Sequence, residues 1–300
     1  MQRTKEMRKV SAIITTHNRL ELLKRAIKSV KTQTYPNIEC IVVSDNSSDG
    51  TDEYCSSLED VIFISIPAKE SRGGNYARNL GIKKSQGEYV AFLDDDDYWI
   101  KDKIEKQINI AENNHCGLVY CGLTFEDVLD ETTHYTTYLP KACYSGDVSK
   151  IILTTIFTTT SEILVKKSLL EQVGYFDENL KFWQEYELSI RLSQITPFLY
   201  VDEALTVYRR DYRDKNRLTN KYSGWKDSVN YIHMKHKFLY NKLSFKEKLC
   251  AKQFYWTEAI ARCKSSSLPI HENYYRIKLW ISTLPFRIKH IIWSKKTTKE

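Results

Sequence analysis

Glycine and proline are scarce, ten and six among 300 residues, which excludes collagen-like and low-complexity chains. No stretch approaches eighteen apolar residues, so the pattern offers no membrane-spanning helix. The opening segment, MQRTKEMRKVSAIITTHN, carries no apolar core of signal-peptide type, and its first apolar run is strand-length. None of the seven cysteines lies in a CxxC pair. The nearest two, Cys116 and Cys121, have no Cys/His cluster of zinc-site spacing beside them. Reduced thiols in a cytosolic protein are the expectation. GxGxxG and GxxxxGK[ST] are both missing, so the Gly73-Gly74 pair is no phosphate loop, and nucleotidyl transfer is disfavoured. No spacing supports a Ser-His-Asp or Cys-His arrangement.

What is present is globular in kind. Twenty Tyr, eleven Phe and six Trp are far too many aromatics for a disordered chain. Hydrophobic residues make up 42%, and the length suffices for one large domain or two modest ones. The net charge of +7 is unevenly spread. Residues 201–300 hold 22 Lys and Arg against 9 Asp and Glu, a net of +13, which leaves −6 for residues 1–200. An acidic first part joined to a basic last third points to two jobs.

Short β-branched runs at Val10–Thr15, Ile38–Ser44, Val61–Ile66 and Glu88–Leu93 read as buried strands. Between them, helical spacing recurs: Leu22, Leu23, Ala26, Ile27 and Val30 share one face, with Asn18 placed to cap it. The loop at 45–51 introduces a second helix, and a third spans about 75–85. This alternation predicts βαβ units and a mostly parallel α/β sheet, whose ligands bind beyond the carboxyl ends of the strands. The polar clusters stand at those ends: Thr15-Thr16-His17-Asn18 after strand one, Asp45 after strand two, Asp94 to Asp97 after strand four. Further on, Gly117–Leu123 reads as a strand, Ile151–Thr160 as an apolar, Thr-rich segment, and Leu164–Val173 and Phe182–Leu192 as helices. Beyond 220 the chain reads as helical, basic and aromatic.

Four consecutive carboxylates repel one another and need a compensating partner. Mg²⁺ or Mn²⁺ meets that need and shares carboxylates with substrate phosphates. In an extended segment Asp94 and Asp96 would project to the same side and address one ion or diphosphate. A solvated acidic loop leading into a helix at 101–113 is the bland alternative. Asp45 can accept from a base imide or ribose hydroxyl, though Asp-Asn-Ser-Ser-Asp-Gly is also ordinary turn chemistry. His17 reads as a packing residue rather than a ligand.

Five ordered segments then carry a resemblance: VSAIITTHNR, YPNIECIVVSDNSSDGT, GGNYARNLGI, GEYVAFLDDDDYW and GYFDENLKFWQEYELSIRL. Over about residues 9–215 the chain resembles the family 2 glycosyltransferases. The resemblance implies a GT-A fold, a Rossmann-like, mostly parallel sheet flanked by helices, here with a helical C-terminal extension. It implies inverting, metal-assisted transfer of a sugar from a nucleotide-sugar, usually a UDP-sugar, to a hydroxyl of a saccharide or lipid-linked saccharide in surface polysaccharide synthesis. Thr15, His17 and Asn18 correspond to the first nucleotide-contacting loop, Asp45 to the aspartate holding the base, and Arg78 to a residue near the sugar-nucleotide. Asp94 and Asp95 fall in the DxD-type motif, and Asp96 to its metal-contacting carboxylate, with Mn²⁺ or Mg²⁺ as the ion. Two departures are visible. Relatives usually carry Glu-Asp at the base position, where this chain has Gln184-Glu185, so Glu185 is the expected base and Glu187 the substitute. Near Asp211 many relatives have a histidine; Asp211 can ligate a cation through oxygen, while Arg209 and Arg210 suit phosphate. A non-catalytic nucleotide-sugar or saccharide-binding protein on the same scaffold is the second reading.

The expected organisation is a catalytic domain at 1–215, with a nucleotide-binding part to about 115 and an acceptor part at 116–215, then a basic helical region at 216–300. Within that region Arg276–Ile281 and Phe286–Trp293 combine cations with aromatic and aliphatic residues, as a segment resting on an anionic membrane would. A cap packed on the catalytic domain is the alternative. No recognised nucleic-acid motif accompanies the charge, so no nucleic-acid partner is expected. The location expected is cytoplasmic, with the basic region able to lie on the inner face of the cell membrane.

Overall fold

A computed structural model describes residues 7–214 and 222–297, with side chains described to residue 283. The chain divides into two compact units: Met1–Ile152 with Phe157–Asp214, and Leu153–Ile156 with Lys215–Glu300.

The first unit is built on one sheet. Strands β1 (Val10–Thr16), β2 (Ile38–Asp45), β3 (Val61–Ile66) and β4 (Tyr89–Asp94) pair in parallel, in the order β3-β2-β1-β4. Their near-continuous apolar runs follow from burial on both faces, which parallel strands require. Alternation sends Ile14, Val42 and Leu93 to one face, against Leu23 and Ile27 of α1 (Leu20–Lys31). It sends Ile13, Val43 and Phe92 to the other, against Ala77 and Ile82 of α3 (Gly74–Lys84). Helix α3 lies so near β1 that a Cβ on Gly81 would stand 2.5 Å from the Ile13 side chain. The remaining elements of the sheet half are α2 (Thr51–Ser56), the two-residue β5 (Tyr98–Trp99) and α4 (Lys103–Asn113).

Beyond β4 the sheet changes direction. β8 (Leu164–Lys166) runs antiparallel to β4 and to β6 (Leu118–Val128), while β9 (Phe198–Asp211) runs parallel to β6. β6 also carries β7 (Thr133–Tyr138) on its far half, and β5 pairs with β9. Helices α5 (Lys167–Val173) and α6 (Gln184–Leu192) complete the unit.

Three expectations are corrected. Leu164–Lys166 is a strand rather than the start of a helix, because its β-sheet partners on both sides outweigh local helical spacing. Asn18 does not cap α1: Arg19 stands at the cap position without accepting through its side chain, Asp49 Oδ2 takes the Leu20 N–H at 2.9 Å, and Asn18 sits at φ 53°. The aspartate segment is not extended after Asp94; Asp95 and Asp96 form a turn closed by the Asp97 N–H on the Asp94 carbonyl, 3.1 Å.

One buried cation sets a measurable pH dependence. Lys103 has no exposed surface, donates to Gln107 Oε1 at 2.7 Å and lies 4.3 Å from the Trp99 ring centroid. Burial pushes its pKa down from 10.5 to about 8. The unfolded chain therefore holds a proton between pH 8 and 10.5 that the native state has released, so this lysine's cost is full below pH 8 and fades as pH rises. Lys103→Met is expected to stabilise the fold at pH 7 by about 2 kcal/mol, the desolvation relieved less the lost Gln107 bond. Urea unfolding of both proteins from pH 7 to 10 checks this; a difference constant across that range refutes it.

The second unit contains α7 (Tyr222–Lys235), α8 (Lys237–Lys242), α9 (Phe245–Ser265) and α10 (Pro269–Thr297). Its centre is aromatic. Trp225 is fully buried, stacks on Tyr255 at 5.4 Å, and carries Arg262 4.8 Å from its ring centroid, while the Tyr222 and Tyr275 hydroxyls meet at 2.8 Å. Ser244 opens α9 with a reciprocal cap to Glu247. Of the two cationic–aromatic segments, the first leaves Ile277, Trp280 and Ile281 more than half exposed. The second, Phe286–Trp293, lies outside the residues whose side chains are described. No helix among the described residues is long and apolar enough to cross a membrane.

Candidate active site

The carboxyl ends of the parallel strands bring the polar clusters to one edge. In register, Thr15 stands opposite Asp94 on one side and Val43 on the other, and Asp45 ends β2. Loops there are free to diverge toward a ligand because the strand order reverses direction around β1.

The first corner joins the β1 and β2 loops. His17 Nδ1 is 2.6 Å from the Asp45 carbonyl oxygen, Asn18 Oδ1 accepts from the Ser48 N–H at 2.7 Å, and the Asn18 N–H donates to Ser47 Oγ at 3.0 Å. Asn18 and Asn46 both hold left-handed backbones, at φ 53° and 60°, which asparagine tolerates better than other non-glycine residues. Asp45 Oδ2 accepts the Gly73 N–H at 2.9 Å. Its other oxygen, Oδ1, is buried without a hydrogen-bond partner. An orphaned buried acceptor costs about 1–3 kcal/mol, which a ligand N–H or O–H would recover.

The second corner is the acidic turn. Its countercharge comes from arginines of the chain itself. Arg19 Nη1 spans Asp95 Oδ1 and Asp96 Oδ2 at 3.0 Å each, and Arg78 Nη2 reaches Asp94 Oδ1 at 2.6 Å. Thr16 Oγ1 donates to Asp95 Oδ2 at 2.8 Å. Asp95 is buried, and burial lifts its pKa to about 6 despite Arg19. Asp97 is deeper still. Burial and the charges of Asp96 and Asp94 push its pKa well above the usual carboxylate range. It accepts from Ser161 Oγ at 2.6 Å and from the Arg209 N–H at 2.9 Å, tying the turn to the segment before β8 and to β9.

The third corner is the start of α6. Trp183 precedes it at φ 57°, a left-handed conformation unusual for a bulky residue and held here by an edge contact with Tyr186 at 5.3 Å. Arg78 joins this corner to the second: its Nη1 donates to Gln184 Oε1 at 3.0 Å. Glu185 follows, half-buried. Burial first, then the charges of Asp97, Asp94, Asp96 and Glu185 in that order, raises the pKa of Tyr208. Glu185 thus belongs to the same electrostatic neighbourhood as the acidic turn.

The structure therefore gathers Thr15, His17, Asn18, Asp45, Arg78, Asp94, Asp95, Asp96 and Glu185 along one edge. Glu187 is fully buried and gripped by Arg191 through three bonds of 2.6 to 3.1 Å, a structural pair. Asp211 is taken by Arg209 at 3.0 Å and Arg213 at 2.6 and 2.8 Å, and the Arg213 hydrogen bond foremost holds it well below the usual carboxylate range. Arg209 also bonds Glu126, and Arg210 bonds Asp127. Sequence reasoning missed Arg19, Ser161, Thr16 as Asp95's partner, Gln184 as Arg78's partner, and Tyr208. The unbalanced charge of the aspartates was the signal for Arg19, which stands in the same THNR stretch; Ser161 and Tyr208 carried none.

Among the described residues no three His, Cys, Asp or Glu gather to hold an ion alone. The donor set at the acidic turn is nonetheless all carboxylate oxygen, suited to Mg²⁺ or Mn²⁺, and these ions commonly take one or two protein carboxylates and complete their shell from phosphates. The residues fit an ion that arrives with a diphosphate.

Comparison with known proteins follows this geometry. The family described as "Glycosyl transferase family 2" matches residues 11–174. An uncharacterised glycosyltransferase of Rickettsia typhi is 34% identical over 219 residues, 71% of this chain and 67% of its own length. The Escherichia coli UDP-Glc:alpha-D-GlcNAc-diphosphoundecaprenol beta-1,3-glucosyltransferase WfaP is 36% identical over 120 residues, 40% of this chain and 48% of its own. Among solved structures, Staphylococcus aureus TarS 1–349 with UDP-GlcNAc aligns at TM-score 0.60 and 16% identity, covering 91% of this chain and 89% of that one. The Pyrobaculum calidifontis mannosyltransferase PcManGT, with GDP-Man and Mn²⁺, aligns at TM-score 0.55 and 16% identity, covering 93% and 85%. At such identities the structural likeness is one of fold, and it is the α/β fold with flanking helices expected from the GT-A resemblance.

Proposed function

The chain belongs to glycosyl transferase family 2, and from that premise we propose that it moves a sugar from a nucleotide-sugar, a UDP-sugar, to a hydroxyl of a saccharide or lipid-linked saccharide, with inversion. The observation that carries this reading is the pairing of an orphaned buried Asp45 oxygen at one corner with the Arg78-linked acidic turn and Glu185 at the others. Relatives support the substrates: WfaP is named for a UDP-Glc donor and a diphosphoundecaprenol-linked acceptor, and TarS is seen with UDP-GlcNAc.

In this mechanism Asp45 Oδ1 accepts the imide N–H of the base, while His17 and Asn18 keep the β1 loop pressed on the β2 loop around it. Asp94 and Asp96 would hold the divalent ion, which neutralises charge developing on the departing diphosphate when bound. Glu185 takes the proton of the acceptor hydroxyl. That oxygen bonds to the anomeric carbon from the face opposite the diphosphate, whose C–O bond breaks with the electron pair leaving on the nucleoside diphosphate. Residues 1–115 supply the donor side and 116–215 the acceptor side. Asp211, already held by two arginines, is left out of the metal site.

The test is a donor panel of UDP-, GDP- and dTDP-sugars with Mn²⁺ or Mg²⁺, following nucleoside diphosphate release. Metal-dependent release from a UDP-sugar, lost in Asp96→Ala, is expected. Donor binding with no turnover on any acceptor favours the non-catalytic reading, and a retained anomeric configuration in the product refutes single displacement.

A further inference from the structure

The second unit holds a feature that the transfer reaction does not use. Where α8 turns into α9, a cavity of about 270 Å³ is walled by the rings of His233, Tyr240 and Tyr255 and by Ala251. Lys237, Lys248 and Lys252 stand around it. None of the three forms an ion pair with a carboxylate among the described residues; Lys248 donates instead to the Asn241 carbonyl at 3.1 Å. The imbalance extends outward, with residues 222–283 carrying 11 Lys and Arg against 4 Asp and Glu.

Large apolar side chains project beside these cations. Met234, Phe238 and Phe245 are 78%, 69% and 85% exposed, more than most of the chain's other large hydrophobics. Helical spacing puts Phe245, Lys248 and Lys252 on one face of α9, at i, i+3 and i+7, and Met234 and Phe238 flank Lys237. Lys242 lies 4.0 Å from the Phe238 ring centroid, with its charge kept at the level of the ring. Exposed aromatics rimmed by uncompensated lysines suit the boundary between acyl chains and anionic headgroups.

We propose that this corner is a seat for an anionic phospholipid surface, Lys237, Lys248 and Lys252 meeting headgroup phosphates at the rim of the cavity while Met234, Phe238 and Phe245 enter the acyl boundary. The aromatic walls would accept the glycerol and upper acyl part, which a free phosphate lacks. The seat uses other residues than the 276–293 that the sequence singles out, and it holds whichever sugar is transferred.

The test is co-sedimentation of the full chain with phosphatidylcholine vesicles, alone and with an equal part of phosphatidylglycerol. Binding to the mixed vesicles only, weakening as salt rises, is expected. Lys248→Ala with Lys252→Ala should weaken it about thirtyfold, from the usual worth of a lysine at an anionic surface. Phe238→Ala with Phe245→Ala should weaken it as well, and both variants should release nucleoside diphosphate at the wild-type rate without vesicles. Equal binding to both vesicle types, or binding that neither double variant changes, overturns the proposal. So does displacement by inorganic phosphate at concentrations where matched sodium chloride has no effect, which would make the cavity a free-phosphate site. Dimerisation abolished by the phenylalanine changes, with no vesicle binding, would assign the patch to a second copy instead. Should a double variant fail to fold, the single changes Lys252→Ala and Phe245→Ala take its place, each expected to weaken binding and together overturning the proposal if neither does.

Discussion

Glu185→Gln is expected to lower turnover by about two to four orders of magnitude, the usual worth of a positioned general base, while donor affinity stays within a few-fold. The change keeps size and shape but replaces the basic carboxylate proposed to take the acceptor proton with an amide too weakly basic to do so. The hydrogen bonds that hold Asp45 and the acidic turn run to Gly73, Thr16, Arg19 and Arg78, all of which the change leaves in place, so the donor site should survive. The left-handed Trp183 that opens α6 is also unaltered, and with it the direction in which Glu185 leaves the helix. Glu185→Asp is the informative companion: it restores the carboxylate common in relatives but withdraws it by one methylene, so it should fall between the two. Steady-state product formation and donor titration by calorimetry separate the effects. Turnover of Glu185→Gln within tenfold of the unaltered chain removes Glu185 from the base role.

Arg78→Lys should lower kcat/KM about a hundredfold although the charge is kept. Arg78 uses two different nitrogens, one on Asp94 Oδ1 at 2.6 Å and one on Gln184 Oε1 at 3.0 Å, so it joins the acidic turn to the helix that bears Glu185. A lysine ammonium is a single point and cannot span both with the same geometry. Loss of the strut lets the acidic turn and Glu185 drift apart, and displacements of about 1 Å can cost a hundredfold in reactions that depend on alignment. Arg78 is buried, so part of any effect could be on stability; melting measured beside the kinetics separates the two. The decisive pattern is a loss in both KM for the donor and kcat. A loss in only one would mean that Arg78 serves one corner and does not couple them.

Much of this site was legible because its residues stand where strands end. Apolar runs of strand length, helices between them and polar clusters after each run suffice to align Asp45, Asp94 and the THN loop, since parallel β-sheet geometry brings carboxyl ends to one edge. The acidic turn was legible as a problem in charge, but not in its solution. A divalent ion was the expected counterweight, and the structure adds two more that the sequence did not announce, Arg19 and Arg78. Pairing between Arg19 and Asp96 spans 77 residues of sequence, and no local pattern encodes it. Asp211 shows the reverse. By position it suited a cation, and the cations it meets are Arg209 and Arg213.

Composition, periodicity and motif order by themselves determined the α/β class, the first four strands, the family resemblance and the residues at the strand ends, because each depends on residues close in sequence. Only the tertiary structure decided which partner each charge meets: Glu187 neutralised by Arg191, Asp97 buried beneath the turn, one Asp45 oxygen left without a donor, three lysines around a cavity without carboxylates. These are matters of burial and long-range approach. Electrostatic free energy depends on distance and on exclusion of water, and neither quantity exists until the chain has folded.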